Sequence, residues 1–242
     1  MTDTPENPVP LPQPLRKRAA RQLTLRAAVK WAAIALASLW LLCVLTLIAL
    51  RWIDPPTTAV HMQRRLQSWI HSKPYTERYD CVPLRQISPD FQHAVVAAED
   101  ARFYQHHGFD WDAIETAAQD DMEGAKLRGG STITQQLVKN IFFGTGRSFL
   151  RKGAEFTLVP VAELVLGKQR ILELYINVVE WGPGVYGAES ASRYYFHIPA
   201  RAIDRQQGAE LAAILPLPLK RRPDHMMHYS EIILGRMRQM GW

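Results

Sequence analysis

The chain has 242 residues, of which 47% are hydrophobic, and a formal net charge of +6. It is long enough to bury a sizeable core, either in one large domain or in two small ones. The positive charge indicates an anionic partner, which is a nucleic acid, a lipid headgroup or a phosphorylated substrate. Cys43 and Cys81 are the only cysteines, and Cys43 lies in an apolar run, which excludes a disulfide framework and a Cys/His metal spacing.

Residues 1–30 form a tail that is first rich in proline and then basic. Prolines at positions 5, 8, 10, 12 and 14 predict a disordered segment over residues 1–15. The stretch 16–30 that follows reads as a juxtamembrane anchor. Its cations are Arg16, Lys17, Arg18, Arg21, Arg26 and Lys30.

The segment Trp31–Leu50 is an uncharged apolar run of 20 residues. A helix of that length spans roughly 30 Å, which is the thickness of the hydrocarbon core of a bilayer. A cleaved signal peptide is the alternative, but its apolar region has only about 7–15 residues and ends at a small-residue site. Because the cations precede the span, the positive-inside rule predicts a cytoplasmic N-terminus and an extracytoplasmic domain. This topology explains part of the basicity and argues against a nucleic-acid partner.

We expect a stalk at residues 51–80 and one domain at residues 81–242, since no linker or internal repeat divides the latter. Strand-like alternation is scarce and apolar residues recur at helical spacing, which predicts a mainly α fold. The expected core of the segment 161–178 is Val161, Leu164, Val165, Ile171, Leu174, Tyr175 and Val178.

A helix is predicted to begin at Ser88, a residue type that caps helices, with Pro89 in its first turn. Glu99 falls at the end of this helix, beside its apolar face. Partial desolvation of the Glu99 carboxyl would raise its pKa and make it a better base. The apolar face consists of Phe91, Ala94, Val95 and Ala98.

Two further polar clusters follow Glu99 and Asp100. After the turn Gly129-Gly130 a helix is expected with an apolar face of Ile133, Leu137 and Ile141 and a polar face of Thr132, Gln135, Gln136 and Lys139. In the third cluster, Arg151 and Glu155 are four residues apart on a common helical face.

Each cluster taken alone is typical of ordinary structure. Glu99 and Asp100 could cap a helix or pair with Arg102, and the second cluster could be a solvated face. An exposed Arg151–Glu155 pair contributes only about 0.3–0.5 kcal/mol to stability. We expect His106 to be a structural hydrogen-bonding residue. Metal binding by His106 and His107 together is not expected, because adjacent residues on one element rarely converge on one ion.

In their order along the chain, the three clusters resemble the motifs of the peptidoglycan glycosyltransferases, the glycosyltransferase family of penicillin-binding proteins. The resemblance covers roughly residues 80–225. It is carried by Glu99-Asp100-x-x-Phe103-x-x-His106-x-Gly108, Gly130-Ser131-Thr132-Ile133-Thr134-Gln135-Gln136-x-x-Lys139-Asn140, Arg151-Lys152-x-x-Glu155, Lys168-x-Arg170-Ile171-Leu172-Glu173-x-Tyr175-x-Asn177 and Gly182-x-Gly184-x-Tyr186-Gly187.

The resemblance implies a mainly α, lysozyme-like glycosyltransferase domain with a small membrane-facing lobe, preceded by one transmembrane helix. It also implies polymerisation of lipid II into β-1,4 glycan strands with release of undecaprenyl diphosphate. We expect no transpeptidase activity, because no Ser-x-x-Lys or Lys-Thr-Gly occurs. Lipid contact and an ordinary core role stay open for Ile141, Phe142, Phe143, Phe149 and Leu150.

The resemblance also implies roles for individual residues. The catalytic residues would be Glu99, as the base for the acceptor hydroxyl, and Glu155, at the donor end. Glu155 would orient cations, assist departure of the leaving group or bind a divalent cation. No cofactor is expected to be required, with Mg²⁺ or Mn²⁺ as the divalent cation in question. The expected substrate-binding residues are Asp100, Thr132, Gln135, Lys139, Asn140, Arg151 and Lys152.

The expected partners are lipid II, the growing lipid-linked glycan chain, the bilayer and other cell-wall synthesis proteins, with no nucleic acid. The expected location is the bacterial cytoplasmic (inner) membrane, with the catalytic domain on the periplasmic or extracellular side. Two rival functions stay open. One is a lysozyme-like enzyme that cleaves glycans, and the other is a non-catalytic cell-wall scaffold.

Overall fold

The computed structural model describes residues 13–122, 130–146 and 148–242. The described chain divides into two compact units, one that ends at Leu45 and one that runs from Thr46 to Trp242. Disorder is predicted for residues 1–15, and residues 1–12 of this segment lie outside the described part of the chain. Helix α1 begins at Gln13.

Helix α1 spans Gln13–Ala49. Its part Arg26–Ala49, 24 residues long, is long and apolar enough to cross a membrane. The side chains from Arg26 to Leu42 are all exposed, although most of them are apolar. At 1.5 Å per residue this part spans about 36 Å, slightly more than the hydrocarbon core of a bilayer. It overlaps the predicted span Trp31–Leu50 and begins five residues earlier, because the helix continues through the preceding turn.

The second unit is mainly helical, which confirms the expected fold class. The 10-residue helix α5 (Ile133–Phe142) packs along the 30-residue helix α6 (Phe149–Val178), and the two carry the second and third polar clusters. The other elements, in chain order, are α2 (Ala59–Ile70), β1 (Arg78–Tyr79), α3 (Pro89–Glu99), α4 (Trp111–Met122), β2 (Glu180–Gly182), β3 (Val185–Tyr186), α7 (Ala188–Phe196), α8 (Arg205–Ile214) and α9 (Met227–Gln239).

Residues 51–80 do not form a separate stalk, because they contain α2 and β1 and belong to the same unit as the rest of the domain. Strand β1 pairs with β3 in parallel, and β2 pairs with β3 in the antiparallel sense, which gives the order β1-β3-β2. On α2, Arg64 donates to both carboxylate oxygens of Glu180 on β2. The predicted boundary at residue 81 therefore does not coincide with a structural one.

Helix α3 lies at the centre of the unit, where α8 and α9 pack against it. Ser88 occupies the N-cap and Pro89 the first turn as predicted, but the Ser88 hydroxyl makes no capping bond. The buried residues of α3 are Phe91, Ala94, Val95, Val96 and Ala97. Burial on more than one stripe is typical of a helix that is surrounded by others.

Helix α6 is interrupted at Gly167, whose φ of +73° is not helical. Glycine adopts such a positive φ without the steric cost of a Cβ atom. Ile171, Leu174 and Tyr175 are buried as expected, but Leu164 is 85% exposed. The prediction that Leu164 lies in the core was wrong, because it assumed one continuous helical period over residues 161–178, and Gly167 interrupts that period.

Candidate active site

The start of α5 is held by a capping box and by Asp100. The Thr132 hydroxyl accepts a bond from the N–H of Gln135 at 3.2 Å, and the Gln135 amide accepts the N–H of Thr132 at 3.3 Å. Asp100 accepts the N–H of Ile133 at 3.0 Å. This carboxylate fits poorly at the C-terminal end of α3, but here it lies at the positive end of the α5 dipole. Asp100 thus joins the helix that ends at Glu99 to the helix that carries Lys139.

Asp100, His106 and Asp110 form a buried cluster with ligand-type atoms within 4.8 Å of one another. The N–H of Gly108 donates to Nδ1 of His106, which leaves the proton on Nε2, and Nε2 donates to Asp100 at 2.9 Å. Asp110 accepts the N–H of Ala113 at 3.0 Å. Because the histidine lone pair is already used, the cluster is a hydrogen-bonded support and not a metal site. His106 therefore has the structural role that its position in the sequence suggested.

The Glu99 carboxylate receives a hydrogen bond from an oriented amide. Nε2 of Gln136 donates to Glu99 at 2.8 Å, while the hydroxyl of Tyr175 donates to Oε1 of Gln136 at 3.0 Å. The tyrosine hydroxyl fixes which end of the amide faces the carboxylate. Burial raises the pKa of Glu99, although the Gln136 bond and the charge of Lys139 act in the opposite direction. A carboxyl with a raised pKa is suited to general base catalysis near neutral pH.

Lys139 is the residue at which the three clusters meet. Burial lowers the pKa of the Lys139 ammonium, the charges of Glu155 and Glu99 raise it, and those of Arg151 and Lys152 lower it. Charges at a protein surface influence one another strongly only over short distances, so these five groups share one region. The structure therefore brings both predicted catalytic carboxylates and all three predicted cations together.

Glu155 is 2% exposed, so its pair with Arg151 is not a surface ion pair. Nε of Arg151 lies 2.9 Å from Oε1 of Glu155, and Nζ of Lys152 lies 3.2 Å from Oε2. Nε of Arg151 and Oε1 of Glu155 are both buried, and each is the ion-pair partner of the other. A buried carboxylate is costly unless it is paired, and here two cations pair it.

The surroundings of Glu155 do not fit a divalent cation. Ca²⁺ and Mg²⁺ take about six or more oxygen ligands and favour clustered carboxylates. The charged neighbours of Glu155 are instead cations, namely Arg151, Lys152 and Lys139. The expected Mg²⁺ or Mn²⁺ stays a prediction, and it gains no support from these side chains.

A cleft of about 640 Å³ opens beside Glu99. Its walls are the end of α3 with residues 100–102, the start of α4, residues 130–132 and, from the far end of the sequence, Arg236 and Gln239 of α9. Arg102 forms ion pairs with Asp110 and Asp112 at the rim. Glu99 thus borders a space that can admit a substrate.

Comparison with known proteins identifies the family. Residues 65–238 match the family model described as transglycosylase. The chain belongs to the transglycosylase family. It is similar to proteins named biosynthetic peptidoglycan transglycosylase in three pseudomonads. It is 46% identical to that of Pseudomonas putida strain W619 over 177 residues, which cover 73% of this chain and 75% of the relative. It is 44% identical to that of Pseudomonas fluorescens strain SBW25, with 88% of both chains covered. For Pseudomonas savastanoi pv. phaseolicola the identity is 41%, over 91% of this chain and 93% of the relative.

The family match contains every predicted site residue, but the structure gives them unequal positions. Glu99, Lys139, Arg151, Lys152 and Glu155 share the site described above. The remaining four are buried and hold helices in place: Asp100, Thr132 and Gln135 at the start of α5, and Asn140 through a bond from its amide to the carbonyl of Gln136. Substrate binding by these four residues stays a prediction.

Sequence reasoning missed the roles of Gln136 and Tyr175. Gln136 was placed on the polar face of α5 without a partner, and Tyr175 was placed only in the core. One signal was available, because the Thr132-x-x-Gln135 spacing of a capping box turns Gln135 back to the N-cap and leaves Gln136 facing elsewhere. The predicted turn at Gly129-Gly130 lies outside the described residues at Gly129.

Proposed function

We propose that the chain is a peptidoglycan glycosyltransferase that polymerises lipid II into β-1,4 glycan strands and releases undecaprenyl diphosphate. The observation that carries the proposal is the position of Lys139, on which the charges of both Glu99 and Glu155 act. The charges of the proposed base and of the carboxylate proposed for the donor end thus both act on this one ammonium group. Sugar transfer from a diphosphate needs this combination of groups.

In the proposed reaction, Glu99 is the general base. Its carboxylate takes the proton from the acceptor's 4-hydroxyl as that oxygen attacks the anomeric carbon of the donor. The bond from this carbon to the phosphate oxygen breaks, and the configuration inverts. The electron pair leaves with the lipid diphosphate. The raised pKa of Glu99, which burial causes, makes its carboxylate a stronger proton acceptor than an exposed glutamate.

The departing diphosphate is the part of the reaction that gains negative charge. Lys139, Arg151 and Lys152 are fixed cations beside Glu155, and cations held in place before the reaction lower the barrier. The guanidinium of Arg151 is suited to phosphate oxygens, which it can bind in a bidentate manner. We assign Glu155 to orienting Arg151 and Lys152, because it lies within 3.2 Å of both.

The proposed location is a single-pass anchor in the cytoplasmic membrane, with the N-terminus inside and the catalytic unit outside. The apolar helix segment Arg26–Ala49 and the cations that precede it support this topology. Among the apolar residues for which lipid contact and a core role were both open, Ile141 is buried, whereas Phe149 and Leu150 are 98% and 88% exposed. Exposed apolar side chains at the start of α6 suit a substrate that is tethered in a bilayer.

The test is incubation of the purified full chain in detergent with lipid II and, separately, with preformed glycan strands. We expect polymer from lipid II and intact preformed strands. Degradation of the strands without polymer would favour the lysozyme-like function, for which Lys139, Arg151 and Lys152 have no purpose. Absence of both reactions, with lipid II still bound, would favour the scaffold.

A further inference from the structure

The cleft beside Glu99 has a wall that the sequence motifs do not include. Arg236 and Gln239 belong to α9, the last helix of the chain, and both line the cleft. The other lining residues come from three segments between positions 97 and 132. Arg236 is the member of α9 that reaches the helix carrying the base.

Arg236 binds the end of α3. Its Nη1 donates to the carbonyl of Ala97 at 3.3 Å and approaches the carbonyl of Ala98 at 3.5 Å. The last four carbonyls of a helix have no partner within it, and a cation there is also favoured by the helix dipole. Since α3 ends at Glu99, the guanidinium holds the turn on which the base is carried.

Helix α9 is itself well anchored, so it can serve as a fixed support. Ile233 and Met237 are buried, and the Ser230 hydroxyl accepts a hydrogen bond from Nε2 of Gln206 on α8 at 3.3 Å. Helix α9 packs on both α3 and α8, and its buried side chains Ile233 and Met237 are apolar. A substitution of Arg236 is therefore expected to act on the end of α3 and to leave the fold intact.

We propose that Arg236 is a positioning residue for the base: it ties the end of α3 to α9 and so fixes the direction of the Glu99 carboxylate in the cleft. Gln136 fixes the same carboxylate from the side of α5, at 2.8 Å. Glu99 is then held by two helices, by α9 through Arg236 and by α5 through Gln136. This inference rests on the proposed function, because it assigns a residue to that reaction.

The charged groups that act on the Glu99 carboxyl are Asp100 on the adjoining residue, Lys139 on α5 and Arg221 between α8 and α9. Arg236 instead binds backbone carbonyls of α3, so its proposed effect on Glu99 is one of position. Loss of a positioning contact lowers kcat more than it weakens substrate binding.

The experiment compares lipid II polymerisation by the full-length wild type, Arg236→Met, Arg236→Lys and the control Arg238→Met. Arg238 is an exposed cation on the same turn of α9. We expect Arg236→Met to lower kcat by about tenfold, with KM within about twofold. Arg236→Lys is expected to restore most of the rate, and Arg238→Met to behave as the wild type.

Three results would overturn the inference. One is a kcat for Arg236→Met equal to that of Arg238→Met, and another is an increased KM with unchanged kcat, which would place Arg236 on the substrate. The third is equal loss in the Met and Lys variants. Arg236→Gln replaces the Met variant if circular dichroism shows that the latter does not fold. A wild type without polymer would refute the proposed function, whereas an active wild type with an equally active Arg236→Met refutes only this inference.

Discussion

The Glu99 carboxylate is supported by a chain of two hydrogen bonds that leads from the core to the cleft. The buried hydroxyl of Tyr175 donates to Gln136, and the amide of Gln136 donates to Glu99. An amide can present either its oxygen or its nitrogen, and only the nitrogen is compatible with a carboxylate. The hydroxyl of Tyr175 therefore determines whether the Gln136 amide supports or repels the Glu99 carboxylate.

We predict that Tyr175→Phe lowers kcat for polymerisation by about tenfold, which corresponds to about 1.4 kcal/mol of transition-state stabilisation. The ring keeps its packing, but the Gln136 amide loses the bond that fixes its direction. The control is Tyr195→Phe, which removes a hydroxyl bound to the carbonyl of Trp181 and leaves the Glu99 contacts unchanged. Unchanged kcat in Tyr175→Phe would show that the amide direction is fixed by other contacts.

Glu99 also affects stability, with a sign that follows from its pKa. Burial raises the pKa of Glu99 in the folded protein above its unfolded value. The folded state therefore holds the proton more tightly, and stability falls as the pH rises from the unfolded to the folded pKa. We predict that Glu99→Gln increases the free energy of unfolding at neutral pH, and that the gain disappears in acid. Thermal unfolding at several pH values measures this, and a less stable Glu99→Gln at neutral pH would contradict it.

The desolvation of Glu99 could be predicted from the sequence, whereas its supports could not. Its place at the end of a helix with an apolar face follows from local periodicity. The bond from Tyr175 to Gln136 joins residues 39 positions apart on two helices, and no local pattern contains that pairing. The carbonyls that Arg236 binds are similarly remote in sequence.

Among the elements, the loop between α3 and α4 controls how α5 begins. The carbonyl of Gly108 accepts the Thr132 hydroxyl at 2.7 Å, and its N–H donates to His106. Gly108 has a φ of +93°, and a Cβ atom there would lie 2.5 Å from Cγ1 of Val159 on α6. Glycine is thus required both by the backbone conformation and by the close approach of α6.

We predict that Gly108→Ala lowers the free energy of unfolding by about 1–3 kcal/mol, because it combines a strained φ with overpacking. Gly153 on α6 is the matched control, since a Cβ atom there meets nothing within 4 Å. Gly153→Ala is expected to be neutral or to stabilise the helix by up to about 1 kcal/mol. Denaturant unfolding of both variants measures the difference. Equal values for the two would contradict the proposed packing of the loop on α6.

Helices with strong local signals were predictable, and the joints between elements were not. The start of α3 follows from Ser88-Pro89, and a helix start at α5 is indicated by the turn Gly129-Gly130 that precedes it. The break at Gly167 has no local signal, because glycine within a helical pattern is also compatible with a continuous helix. The pairing of β1 with β3 connects residues more than 100 positions apart, which is why residues 51–80 were taken for a stalk.

For the molecule as a whole, one chain combines an apolar helix suited to a membrane with a unit in which Glu99, the proposed base, lies in the same region as three cations. The length and composition of one apolar run predict the membrane helix, the net charge indicates an anionic partner, and the helical spacing of apolar residues predicts the mainly α class. Convergence of the three clusters on one region could not be derived from periodicity alone. It depends on the packing of α5 along α6, which brings Lys139 to Glu155.

The most direct test of the proposed function is lipid II polymerisation by the wild type and Glu99→Gln, measured side by side with both proteins shown to be folded. The substitution keeps the size of the side chain, and its amide oxygen can still accept the hydrogen bond from Gln136, but an amide cannot act as the base. We predict glycan polymer from the wild type and loss of at least about a hundredfold in rate for Glu99→Gln. Polymer formed by Glu99→Gln at the rate of the wild type would contradict the assignment of Glu99 as the base.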